Sequence, residues 1–113
     1  MRVWFNRSFS SVNTAIDLIR QADTARRFTI IHSNPNPKSP AARLAHEFQI
    51  EPTGLSSNDY IDWCVAFCRQ HRVDIFVPGR EATAIAGAHA RFEAIGTRVQ
   101  SAGSEAALLF IHD

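Results

Sequence analysis

The sequence predicts a three-layer α/β fold, in which a doubly wound parallel sheet of about five strands lies between two layers of helices. Short β-branched or aromatic runs alternate five times with amphipathic segments along the chain. The connecting segments are long enough to form the helical crossovers that parallel strands require. A chain of 113 residues can bury one core. We therefore expect a single domain over residues 1–113.

The first strand and helix begin close to the amino terminus. Residues 3–5 form an apolar run that ends at two polar residues. Apolar side chains then recur at helical spacing from position 12 to position 19, and Asp23 and Thr24 end this helix. The pattern is typical of a buried strand followed by an amphipathic helix.

The next stretch predicts two strands with a short helix between them. Residues 28–32 are the second β-branched run, and a loop rich in Asn and Pro closes it. Ser39 is expected to cap a helix that has Pro40 at its first position and continues to residue 48. Residues 48–50 then form a brief third strand near an edge of the sheet.

A third helix precedes the fourth strand. Ser57 or Asn58 is expected to cap a helix over residues 60–70, and residues 73–77 form strand four. Two cysteines lie four residues apart on this helix, where a disulfide would constrain little. We interpret them as reduced core residues of a cytosolic protein.

A further helix, a strand and a last helix complete the alternation. The helix after strand four has an apolar face over residues 85–92, which includes His89, and it ends at Gly96. Residues 97–100 form strand five, and residues 106–111 form a last amphipathic run. We expect the Rossmann-like strand order 3-2-1-4-5, with helices on both faces of the sheet.

Composition and missing motifs exclude several functions. Twelve basic residues against eleven acidic ones give a net charge of +1, which provides no field that attracts nucleic acid or an anionic membrane. No glycine precedes Gly54, which excludes the glycine-rich turn of an ordinary NAD-binding domain. The only lysine, Lys38, lies in a loop, which excludes a P-loop, and the acidic pair of a phospho-acceptor receiver domain is missing.

The histidines do not predict a metal centre. None of the five has the close spacing to Cys, His or carboxylates that metal ligands show, and we expect no metal site in this chain. His89 is interpreted as a hydrogen-bonded core residue because it lies on an apolar helix face. For His32, at the end of strand two, a site role and a loop-capping role both stay open.

The strand order places the candidate site where strands one and four lie side by side. Their crossovers leave toward opposite faces of the sheet, so the loops over residues 6–11 and 78–82 should face each other across a crevice. No catalytic residue can be named. The predicted substrate-binding residues are Asn6, Arg7, Ser8, Ser10, Ser11, Pro78, Gly79, Arg80 and Glu81.

The charges on these two loops suggest what they bind. Arg7 and the start of the first helix would bind a carboxylate or phosphate. Arg80 would bind a second carboxylate and Glu81 a substrate ammonium. An alternative stays open in which Arg80 and Glu81 are a solvated helix start, and Ser10 and Ser11 are interpreted first as helix caps.

Short motifs in a fixed order resemble the N-terminal, pre-ATP-grasp domain of ATP-grasp ligases, and biotin carboxylase is the nearest pattern. The motifs are Asn6-Arg7 after strand one, Val77-Pro78-Gly79 after strand four, and Gly103 followed ten residues on by Asp113. Biotin carboxylases have Asn-Arg-Gly and His-Pro-Gly at the first two places, so Ser8 replaces a glycine and Val77 a histidine. Ala45-His46-Glu47 is similar to the family's Ala-Asp-Glu.

The resemblance implies that the chain is one domain of a longer ligase. Such enzymes use ATP and Mg²⁺ to convert a carboxylate into an acyl phosphate, which an amine or another nucleophile attacks. The first domain would form one wall of the substrate site and would be inactive alone. Its implied partners are a small-molecule carboxylate or amine and the C-terminal ATP-grasp domains of the same chain, which would bind most of the ATP and Mg²⁺.

A free-standing Rossmann-like module that binds a small ligand or another protein is the alternative from a different class. The missing glycines disfavour a degenerate NAD-type domain. The chain starts without a secretion signal and has no apolar run near the ~20 residues that cross a bilayer. We therefore expect a cytoplasmic protein that binds neither nucleic acid nor membrane, and a homodimer stays open.

Overall fold

The β-branched and aromatic runs pair as one parallel sheet because strands that are apolar on both faces can be covered by helices on both sides. The computed structural model describes residues 1–7 and 11–100, apart from the side chains of residues 11–15. The strand order is β3-β2-β1-β4-β5, and all four pairings are parallel, which confirms the predicted fold class and order. The strands are β1 (Arg2–Phe5), β2 (Thr29–Asn34), β3 (Glu47–Ile50), β4 (Ile75–Val77) and β5 (Arg98–Val99).

Helices join these strands and cover both faces of the sheet. The predicted last helix over residues 106–111, together with Gly103 and Asp113, lies outside the described residues. No helix in the described part of the chain is both long and apolar enough to cross a membrane. The helices are α1 (Ser11–Ala22), α2 (Ala41–Leu44), α3 (Ser57–Gln70), α4 (Ala82–Gly87) and α5 (His89–Glu93).

Strand β1 separates two cores because its successive side chains point to opposite faces. Val3 and Phe5 lie in the core on the side of α1 and α2. Trp4 lies in the core on the side of α3, α4 and α5, where its ring stacks on Phe67 and on Phe76 with centroid distances of 4.0 Å. Both faces of β1 are therefore apolar, and each is covered by a separate layer of helices.

Helix α2 is shorter than the sequence predicts. It ends at Leu44 because Ala45 adopts an extended conformation, and the backbone N–H of His46 then donates to Ile30 O at 2.9 Å. The chain has joined the edge of β2 at that point, so β3 begins at Glu47. Ser39 does not cap this helix, since Pro40 occupies the N-cap position without a side-chain bond.

Two other predicted helix boundaries are wrong. Ser56, rather than Ser57 or Asn58, caps α3, and its hydroxyl accepts from the backbone N–H of Asp59 at 3.2 Å. The helix expected after β4 is interrupted at Ala88, whose φ of −102° and ψ of 17° are not helical. The break follows Gly87, a residue with low helix propensity.

The cysteines of α3 are free and buried, as predicted. Burial raises the pKa of the Cys68 thiol to about 12 and raises that of Cys64 further. Thiols whose pKa values are raised in this way are poor nucleophiles at neutral pH. Cys64 and Cys68 therefore contribute packing rather than chemistry.

Burial lowers the pKa values of His32, His46 and His71, and these histidines should make the stability of the domain depend on pH. His46 Nδ1 accepts from the backbone N–H of Ile30 at 2.9 Å, and His32 Nδ1 lies 2.9 Å from Phe5 O in the core. Burial is the main cause that lowers the pKa of both imidazoles. The unfolded chain therefore binds more protons, so the free energy of unfolding should fall as the pH drops below about 6.5.

Urea denaturation on both sides of that pH measures this dependence. His46→Gln keeps an acceptor for the Ile30 N–H but does not titrate, so we expect it to flatten the dependence. His89→Gln is the matched control, because the His89 side chain is 58% exposed. A free energy of unfolding that does not change between about pH 7.5 and pH 5.5 would contradict the prediction.

Candidate functional site

The two predicted loops lie against each other at the carboxyl ends of β1 and β4. The register pairs Phe5 with Val77, so the residues that follow these two positions are neighbours. The backbone N–H of Arg80 donates to Arg7 O at 2.7 Å. The described parts of the two loops therefore meet at the point where the strand order reverses, as the predicted order requires.

Asn6 is the side chain that bridges the two loops. It is fully buried, and its Oδ1 accepts from the backbone N–H of Gly79 at 2.6 Å. Its Nδ2 donates to Tyr60 Oη at 2.9 Å and to Arg80 O at 3.1 Å. Both polar atoms of the Asn6 amide are hydrogen-bonded to protein groups, so Asn6 holds the two loops together.

Glu51 is the residue at this site that the sequence analysis missed. It follows β3 directly and is only 2% exposed. Its Oε2 accepts from the backbone N–H of Arg7 at 2.8 Å and from Ser33 Oγ at 2.7 Å, and its Oε1 accepts from Tyr60 Oη at 2.7 Å. A carboxylate at the end of a parallel strand reaches the same sheet edge as the two loops, and its position directly after β3 was the available signal.

The polar groups around Glu51 form one connected network. Trp4 Nε1 donates to Ser33 Oγ at 2.8 Å, which links the network to the aromatic core. Burial, with a contribution from the nearby Glu51 carboxylate, raises the pKa of Tyr60 well above its ordinary value. The Tyr60 hydroxyl therefore stays protonated and donates to Glu51 while it accepts from Asn6.

Arg80 lies on top of this network. Its guanidinium carbon is 4.1 Å from the centroid of the Tyr60 ring, a cation–π geometry, and its Nη1 is 3.9 Å from Glu51 Oε1. The side chain is 22% exposed. Buried Nη1 has no hydrogen-bond partner within residues 1–7 and 11–100. Arg80 is thus a positioned cation with unused hydrogen-bonding capacity at the crevice.

Glu81 has two unusual features beside Arg80. Its φ of 58° is in the left-handed region, which is strained for a residue with a Cβ. Its Oε2 is buried and has no partner in the described part of the chain, and its side chain does not cap α4. Arg80 and Glu81 are both half-buried at the start of α4, and each has one buried polar atom.

The remaining predicted site residues are only partly described. The Arg7 side chain is exposed. Pro78 lines a groove of about 640 Å³ together with residues of α4, α5 and β5. Ser11 begins α1, and its side chain is not described, while Ser8 and Ser10 lie outside the described residues.

The predictions for the two histidines have different outcomes. His89 is not a core residue: its side chain is 58% exposed, and Nδ1 lies 3.1 Å from Glu93 Oε1. His89 is the first residue of α5, directly after the break at Ala88, and it does not share the buried position of Phe92. His32 is fully buried, and its Nδ1 hydrogen bond to Phe5 O ties the ends of β2 and β1 together beneath the crevice.

Comparisons with known proteins add no relatives. No model of a known protein family matches the chain, and no curated protein is significantly similar to it. Within the described residues, no three His, Cys, Asp or Glu side chains gather as they would around a metal ion.

Proposed function

We propose that this chain is the N-terminal, substrate-side domain of an ATP-grasp ligase, and that its crevice binds a carboxylate of the substrate. The observation that carries the proposal is the Arg80 guanidinium, which contacts the Tyr60 ring and the Glu51 carboxylate and whose Nη1 makes no hydrogen bond to the described residues. A positioned guanidinium is well suited to bind a carboxylate through two parallel hydrogen bonds.

The arrangement of the motif residues supports the same proposal. Two of the motifs that carry the resemblance to pre-ATP-grasp domains are Asn6-Arg7 and Val77-Pro78-Gly79. They meet in the hydrogen bond between Asn6 and Gly79, which lie 73 positions apart in the sequence. Asn6 and Arg7 contact Gly79 and Arg80 through hydrogen bonds, and the strand order that places them together is the predicted one. Short motifs that meet at one site are better support than the same motifs scattered over the surface.

The proposed role of the domain is to hold the substrate during two steps of chemistry. In the first step a substrate carboxylate oxygen takes the terminal phosphoryl group of ATP, and ADP leaves. In the second step an amine or another nucleophile attacks the carbonyl carbon of the acyl phosphate, and phosphate leaves. Arg80 would orient a carboxylate of the substrate, while ATP and Mg²⁺ would be bound mainly by later domains of the same chain.

The kinetics of the full-length enzyme test the role of Arg80. Arg80→Ala is expected to raise the KM for the substrate by about 10- to 100-fold, which corresponds to the loss of a charge-assisted hydrogen bond. Arg7→Ala should raise the KM less, because the exposed Arg7 side chain is screened by solvent. Arg91→Ala is the matched control, since Arg91 is half exposed and pairs with Asp62 on α3.

Two outcomes would count against the proposal. If neither Arg80→Ala nor Arg7→Ala changes KM or kcat, the crevice does not bind the substrate. The gene gives an independent test: the proposal expects roughly two further domains of coding sequence after Asp113, with a lysine within a few residues. A stop codon at that position would favour a free-standing binding module instead.

A further inference from the structure

The charges at the crevice are balanced rather than uniformly positive. Arg7 and Arg80 bring two cations, and Glu51 and Glu81 bring two carboxylates. The Glu51 carboxylate accepts three hydrogen bonds from the protein and also lies 3.9 Å from the Arg80 guanidinium. The negative charge of Glu51 therefore offsets part of the positive charge of Arg80. Because of this, the crevice attracts a ligand that carries only negative charge less strongly.

Two buried polar atoms, one on a cation and one on a carboxylate, make no hydrogen bond to the described residues. They are Arg80 Nη1 and Glu81 Oε2, on consecutive residues of the β4–α4 loop, and neither has a hydrogen-bond partner among the residues that the structure describes. Buried polar atoms are nearly always satisfied, and each exception calls for an explanation. Among the described residues, Arg80 Nη1 lacks an acceptor and Glu81 Oε2 lacks a donor.

The backbone conformation of Glu81 also indicates a ligand-binding site. A left-handed residue with a Cβ is strained, and an unpaired buried carboxylate oxygen adds a second unfavourable contribution at the same position. Strain of this kind is found preferentially at ligand-binding sites. Arg26 and Arg72 also have positive φ values, but neither combines the strain with an unsatisfied buried atom in the described residues.

We infer that the crevice takes a zwitterion, a small molecule that carries both a carboxylate and an ammonium group as an amino acid does. The carboxylate binds Arg80, and the ammonium donates to Glu81. The inference rests on the proposed function and narrows its substrate class. A phosphate dianion fits poorly, because it would face the Glu51 and Glu81 carboxylates and would supply no cation to Glu81.

Binding of simple probes to the 113-residue chain tests the inference. The amide signals of Gly79 and Arg80 in the ¹⁵N-labelled protein are followed by NMR during titration with glycine, acetate or inorganic phosphate. Both amides lie in the hydrogen bonds that join the two loops. Glycine is expected to bind about 10-fold more tightly than acetate, the effect of one added charged hydrogen bond, and phosphate no more tightly than acetate.

Three variants assign the contacts. Glu81→Gln should reduce the preference for glycine over acetate to within about 2-fold, because it removes both the acceptor for the ammonium and a carboxylate that repels acetate. Arg80→Gln should weaken both glycine and acetate. Glu93→Gln is the control, because it makes the same chemical change at a side chain that is 60% exposed on α5. It should leave all three affinities unchanged.

The outcomes separate the inference from the proposed function. If glycine and acetate bind equally and both require Arg80, the zwitterion inference is wrong, but the proposal that Arg80 binds a carboxylate is supported. If phosphate binds most tightly, the inference is also wrong. If no probe shifts the Gly79 and Arg80 amides at concentrations up to about 100 mM, or if the shifts persist in Arg80→Gln, both the inference and the proposed site are wrong.

Discussion

Replacing Glu51 with alanine is expected to lower the free energy of unfolding by about 3–5 kcal/mol, the effect of removing one partner from a buried charged network. The carboxylate accepts from three donors that lie on three different segments, the Arg7 N–H, Ser33 Oγ and Tyr60 Oη. All three donors would lose this acceptor, and Arg80 would lose its nearest carboxylate. A domain of this size is stable by only about 5–15 kcal/mol, so Glu51→Ala should leave it close to unfolding.

Urea denaturation followed by circular dichroism measures the change. Glu51→Gln should cost less, because the amide keeps one acceptor oxygen and fills the same volume. Glu93→Ala is the control, and we expect it to change the free energy of unfolding by less than about 0.5 kcal/mol, as exposed positions usually do. If Glu51→Ala costs no more than Glu93→Ala, the network does not stabilise the fold.

Trp4→Ala is expected to be the second highly destabilising change, also by about 3–5 kcal/mol, because a large buried ring leaves a cavity. Trp4 is fully buried, and its ring stacks between Phe67 of α3 and Phe76 of β4. Its Nε1 also donates to Ser33 Oγ, which holds the network in contact with the core. The change therefore affects the packing of α3 and the hydrogen bonds beneath the crevice together.

Two further variants separate the packing of Trp4 from its hydrogen bond. Trp4→Phe keeps an aromatic ring in the stack and removes only the donor to Ser33, so its effect should lie between those of Trp4→Ala and the unchanged chain. Trp63→Ala removes the other tryptophan, which is only partly buried, and should cost less than Trp4→Ala. Equal losses for Trp4→Ala and Trp63→Ala would contradict the assignment of Trp4 to the centre of this core.

The strand order was predictable from local patterns. Five β-branched runs separated by crossover-length segments leave few topologies for a parallel sheet, and Trp4 between Val3 and Phe5 shows an apolar residue on each face of β1. The position of the two loops then follows from the strand order. Helix boundaries were predicted less well, because a break such as the one at Ala88 depends on how the segment packs against α3 and β5.

The hydrogen bonds of the site were not predictable in the same way. Glu51 contacts Arg7 from 44 positions away and Ser33 from 18 positions away, and no local pattern specifies such partners. Asn6 was predicted at the site, but its bonds to Tyr60 and Gly79 depend on side-chain geometry. His89 was assigned to the core by extending one helical period through Ala88, where the helix is interrupted.

The guanidinium of Arg80 provides the most direct test of the claim that this crevice binds a carboxylate. The Nε–Hε signal of Arg80 can be followed by NMR in the ¹⁵N-labelled chain during titration with acetate, with the Arg91 signal as the internal control. We predict that the Arg80 signal shifts and saturates while the Arg91 signal stays in place, and that Tyr60→Leu, which removes the ring under the guanidinium, weakens the binding. An Arg80 signal that does not move while other arginine signals do would contradict the account.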